Sequence, residues 1–132
     1  MEAPHDRRAL VGKLSDTVKE MISEVRPGLV ATASKEGKPN VSAKGSFRVL
    51  DDDHVAFADI ASPRTIANLR ENPEVSILVV DPKAMKGCRV WGRGEILESG
   101  ELFEQFSKEF AARDMKVNHV VRIAVDRAQE RF

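Results

Sequence analysis

Apolar residues recur along the chain at two periods, and the switches between them outline the elements. Leu14, Val18, Met21, Ile22 and Val25 fall at helical spacing, Ser15 or Asp16 is placed to cap the run, and Pro27-Gly28 ends it, which predicts a helix over about 15–25. Residues 28–34 then read as a strand, 35–39 as a hairpin loop with Gly37 and Pro39, and 40–50 as a long second strand. The acidic turn Asp51-Asp52-Asp53 leads into a third strand over 54–59. A helix over 63–71 follows, then an apolar strand at 75–80, a turn around Asp81-Pro82 and a strand at 88–97. Leu102, Phe103, Phe106 and Phe110 mark a third helix, and a last strand covers about 117–125. About six strands with hairpin-length links predict a mostly antiparallel barrel with flanking helices, an α+β fold, because parallel strands would need helical crossovers.

At 132 residues the chain suits a single domain spanning 1–132. Twenty-one basic and twenty-one acidic residues cancel, so no global field steers it toward nucleic acid or an acidic membrane, and recognition falls to local sites. Hydrophobic runs stay well short of the roughly twenty residues of a membrane span, and Glu2, His5, Asp6, Arg7 and Arg8 interrupt any apolar leader, so a cytoplasmic protein is expected. Cys88 is the only cysteine and reads as a small packed hydrophobe; His5, His54 and His119 are too dispersed to form a metal-ligand spacing.

The segment with the most chemistry is Ile60-Ala61-Ser62-Pro63-Arg64-Thr65. Ser62 is an N-cap type and Pro63 suits the first helical position, which leaves Arg64 and Thr65 in the first turn. A free helix start favours Asp or Glu; a cation and a hydroxyl beside unpaired N–H groups make a place for a bound phosphate instead. The plainer alternative is a surface helix whose Arg64 pairs with a carboxylate elsewhere.

Two strands carry polar faces. Along 40–50, Asn40, Ser42, Lys44, Ser46 and Arg48 alternate with Val41, Ala43, Gly45, Phe47 and Val49. That face is either solvated or lies against a flat polar ligand, which the small residues Ala43, Gly45 and Ser46 would let approach the backbone. In the strand over 88–97, Trp91 lies on the face with Arg89, Arg93 and Glu95, as an aromatic at an interface or as a cover for the barrel edge.

The ordered set of Gly28-Leu29-Val30-Ala31-Thr32-Ala33-Ser34, Glu36-Gly37-Lys38-Pro39, residues 41–49, residues 55–73 and Arg89-Val90-Trp91-Gly92-Arg93-Gly94 resembles the pyridoxamine 5′-phosphate oxidase-like family of FMN-binding split barrels over about residues 14–125. The resemblance implies a six-stranded split barrel that pairs as a homodimer, with FMN in clefts at the subunit interface. It puts Arg64 on the FMN phosphate with Ser62 and Thr65 as hydroxyl donors. It lays Ser42, Ala43, Lys44, Gly45, Ser46 and Arg48 along the ring and ribityl chain, passes Phe57, Ala58 and Asp59 beneath the flavin, and lets Trp91 or Arg93 reach the partner's cofactor.

Pro63 stands where the vitamin-making oxidases have the first of two basic residues, and residues 126–132 lack their C-terminal basic motif. The resemblance therefore implies a small flavin-dependent oxidoreductase other than the vitamin B6 oxidase, with no catalytic side chain required and a nicotinamide or other redox partner. A non-catalytic carrier or sensor of flavin, haem or deazaflavin uses the same barrel. A nucleic-acid-binding barrel is disfavoured by the neutral charge and the absence of tyrosine for stacking.

Overall fold

Turn residues and period switches divide residues 12–132, the part described in the computed structural model, into three helices and seven strands. In chain order these are α1 (Asp16–Glu24), β1 (Gly28–Ala33), β2 (Pro39–Lys44), β3 (Arg48–Asp51), β4 (His54–Asp59), α2 (Pro63–Glu71), β5 (Glu74–Asp81), β6 (Lys86–Leu97), α3 (Glu101–Ala111) and β7 (His119–Gln129). The seventh strand arises because the expected long strand over 40–50 breaks at Gly45-Ser46. There the Phe47 N–H turns back to the Lys44 carbonyl at 3.3 Å, and Arg26 Nη1 donates to the Phe47 carbonyl at 2.9 Å. Hydrogen bonding of the backbone, which the side-chain alternation does not reveal, decides the break.

All neighbouring strands pair antiparallel, in the order β2-β1-β5-β6-β7-β4-β3. β2 and β3 occupy opposite ends of that order, yet only residues 45–47 separate them. The sheet must therefore curl until its ends approach, which makes it a split barrel. The β6–β7 register shifts between Trp91 and Gly92, where Asp126 is the extra residue that bulges β7, and a Cβ at Gly92 would collide with the Ala124 carbonyl.

Strand β4 is apolar at consecutive positions because both its faces are covered. Val55 and Phe57 point into the main core with Val30, Ile77, Val90, Val121 and Ile123. Ala56 and Ala58 point outward under Phe106 and Phe110 of α3. Cys88 is buried in the main core, and burial pushes its thiol up to about 11, so it stays a neutral packing group. No helix among the described residues is long and apolar enough to cross a membrane.

Helix α1 buries Val18 and Ile22 against the barrel and starts where the Ser15 hydroxyl accepts the Val18 N–H at 3.1 Å. Ser15→Ala leaves that N–H without its cap, and a loss of about 1 kcal/mol in urea unfolding is expected. An unchanged unfolding midpoint would show that water replaces the cap.

Candidate functional site

The candidate site forms where β2 lies beside the start of α2. On β2 the polar residues Asn40, Ser42 and Lys44 turn inward toward α2, while Val41 and Ala43 face outward and are exposed. This reverses the usual edge-strand pattern and corrects the reading of a solvated polar face. The Ser42 hydroxyl lies 3.0 Å from the Thr65 hydroxyl, and Asn40 Nδ2 donates to the same Thr65 oxygen at 3.4 Å. Lys44 Nζ donates to the Ser62 hydroxyl and lies 5.6 Å from the centre of the Phe57 ring. Burial lowers the Lys44 amine below its ordinary value, against the opposing pull of the Asp59 carboxylate.

Ser62 occupies the N-cap position, but its hydroxyl does not cap the helix. It accepts from Lys44 instead, while the Ser62 N–H donates to Asp59 Oδ1 at 2.7 Å. Pro63 has no N–H to satisfy, so the Arg64 and Thr65 N–H groups remain at the open, positive end of α2, and the first turn holds no acidic residue. Arg64 is exposed and has no ion-pair partner among the described residues. A groove of about 290 Å³ runs between the two elements, lined by Asn40, Ser42, Ser62, Arg64 and Thr65 with Val41, Ala61 and Pro63.

The expected ligand strand thus divides. Asn40, Ser42, Ser62, Arg64 and Thr65 meet around the groove, with Lys44 buried behind Ser62. Gly45, at the turn, has open space where a Cβ would stand, so a ligand can approach its backbone, and Ala43 pairs with Leu29 on the exposed side. Ser46 and Arg48 lie elsewhere. The Ser46 hydroxyl accepts the Ala58 N–H at 2.8 Å, and Arg48 grips Glu109 of α3 through two 2.8 Å bonds while lying over the Phe106 ring. That pairing holds the Glu109 carboxyl below its usual range. Trp91 packs under Arg127, 4.3 Å from guanidinium to ring centre, and is not among the groove's lining residues. Asp59 is buried with both oxygens engaged, one by Ser62 and the other by His119 Nδ1 at 2.7 Å. His119 carries no local sequence signal, because its partner is sixty residues away.

Residues 14–132 match the family model for pyridoxamine 5′-phosphate oxidase. The chain belongs to that family. HupZ of Group A Streptococcus superposes with a TM-score of 0.80 at 28% identity, over 87% of this chain and 91% of that one. An FMN-binding protein of Syntrophomonas wolfei also gives 0.80, covering 95% of this chain and 90% of its own; at 16% identity the likeness is one of fold. Protein MJ0282 of Methanocaldococcus jannaschii is 34% identical over 95 residues, which are 70% of this chain and 62% of that protein's length. Membership of the pyridoxamine 5′-phosphate oxidase family accounts for the curled sheet.

Proposed function

We propose that the chain binds FMN with its phosphate at the start of α2, and that it acts as a flavin-dependent oxidoreductase. The observation that carries this reading is the open first turn of α2. Unpaired N–H groups, the Arg64 guanidinium and the Thr65 hydroxyl converge there on a groove with no carboxylate in its lining. The residues fit the group. Arg64 and Thr65 would hold the phosphate, Ser42 and Asn40 the ribityl hydroxyls, and the open backbone at Gly45 would meet the flat ring.

When bound, FMN would supply the electron and hydride chemistry. The protein's part is placement and charge. Lys44, tethered to Ser62 behind the groove, is a cation able to offset negative charge gained by the ring; Arg48 is committed to Glu109 in this structure. At about 290 Å³ the groove lies at the lower limit of ligand pockets, roughly 300–1,000 Å³. Val41 is among its lining residues, and Ala43, two residues along β2, is exposed as well. A second copy of the chain covering that face would enlarge the cleft, which supports a homodimer with the cofactor between subunits.

Protein purified without added cofactor is expected to show the visible bands of oxidised flavin, or to retain them at about one per chain after incubation with FMN and removal of the excess. Repeated oxidation of a nicotinamide donor would then mark a reductase, and a single reduction followed by arrest would mark a carrier. Protein that stays colourless after that incubation would overturn the flavin reading. Light scattering that gives a monomeric mass with FMN bound would overturn the shared cleft.

A further inference from the structure

We propose that a second recess, on the opposite flank of the α2 start, binds a small carboxylate with an apolar body and that His119 is its hydrogen-bonding partner. The recess measures about 510 Å³, against about 290 Å³ for the groove with Arg64. Its polar lining is His119, Arg70, Asn118, Ser62 and Asp59, and its apolar wall includes Pro63, Ile66 and Ala67. The two cavities share only Ala61, Ser62 and Pro63, so His119, Arg70 and Asn118 belong to this recess alone and Arg64 and Thr65 to the groove alone.

His119 is built into this wall with a fixed orientation. Asp59, 3% exposed, bonds its Nδ1 at 2.7 Å and spends its other oxygen on the Ser62 N–H. Asn118 locks the same edge by donating from its side chain to the Ile60 carbonyl and from its backbone to the Asp59 carbonyl, both at 2.9 Å. A carboxylate on Nδ1 holds a proton there and directs Nε2 outward. Nε2 stands 3.4 Å from Arg70 Nη2, a distance at the outer limit of a hydrogen bond.

The charged groups around Nε2 select the ligand. Arg70 supplies a guanidinium, the Asp59 carboxylate has one oxygen on the Ser62 N–H and the other on His119 Nδ1, and Glu98 brings one carboxylate oxygen to 3.7 Å from Nε2. At that distance Glu98 makes no hydrogen bond, and its side chain is 66% exposed, so it approaches the position without filling it. A free carboxylate entering the recess would displace Glu98 and bind with His119 as the imidazolium, its Nδ1–H kept on Asp59; one ligand oxygen would accept from Arg70 and the other from the His119 Nε2–H, with the apolar body on Pro63, Ile66 and Ala67. That geometry matches a two-oxygen planar anion.

Benzoate is the probe, added to the full-length protein with and without FMN while the imidazole ring resonances are followed by nuclear magnetic resonance. Saturable shifts of His119 are expected in both samples, with His54 unmoved. Arg70→Ala, and Arg70→Gln as a variant that keeps the side-chain stem, are expected to raise the half-saturation concentration at least about tenfold while flavin retention stays as in the parent. Absence of a saturable shift, an equal response to benzyl alcohol, or undiminished binding in both Arg70 variants would overturn the proposal. An equal response to inorganic phosphate would make this a general anion site and overturn the carboxylate assignment. Failure of flavin retention is read separately from the absorption spectrum and leaves these outcomes standing.

Discussion

Arg64→Ala is expected to weaken FMN binding by about 1.5–3 kcal/mol, the range for hydrogen bonds to a charged group, which is roughly a ten- to hundredfold rise in Kd. Arg64 is exposed and unpaired among the described residues, so truncation removes no ion pair that the fold uses, and unfolding stability should stay within about 0.5 kcal/mol of the parent. The combination separates a ligand contact from a structural one. Arg64→Lys keeps the point charge but not the planar fork and should recover part of the loss. Flavin fluorescence titration of the three proteins gives the comparison. Equal affinities across all three would take the phosphate away from the first turn of α2.

The parts of the fold set by local chemistry were legible in the chain. The helix over 63–71 and the strand over 54–59 have the predicted limits, because Ser62-Pro63 and Asn72-Pro73 bracket the one and the acidic turn precedes the other. The cluster of Ser62, Arg64 and Thr65 was legible for the same reason, since three adjacent residues at a helix start share one corner whatever the rest does. Ser42 and Asn40 joined it because β2 lies beside that corner.

What could not be seen depends on pairings between distant positions. Arg48 fits the alternation of Ser42 and Lys44, but the turn at Gly45-Ser46 hands it to Glu109, sixty-one residues later. The Ser62 hydroxyl is taken by Lys44 and not by its own helix, because a buried amine has few other acceptors within reach. Asp59 fits the end of a strand under a ligand, yet its position on β4 directly opposite His119 on β7 commits it to that imidazole. The last of these follows from sheet register, a property of two strands together and of neither alone, and the first two from the packing of a strand against a helix.

Phe57→Ala is expected to cost about 3–5 kcal/mol of unfolding free energy, the usual range for emptying a buried aromatic site. Phe57 has no exposed surface, lies opposite Val121 in the β4–β7 pairing and belongs to the core that joins both halves of the curled sheet. The neighbours that would have to collapse into the space are strand residues held by cross-strand hydrogen bonds, so little relaxation is available. The loss should also reach the site. Lys44 rests over the Phe57 ring, and without that face its amine gains access to water and has less to hold it toward Ser62. Phe57→Leu refills most of the volume with no ring face, so it should recover much of the stability while leaving Lys44 as free as in Phe57→Ala. Urea unfolding reports the first property and the titration of the Lys44 amine, followed by nuclear magnetic resonance, the second. A cost below about 1 kcal/mol for Phe57→Ala would mean that the curled sheet closes over the gap, and that the barrel wall behind the site is softer than its burial implies.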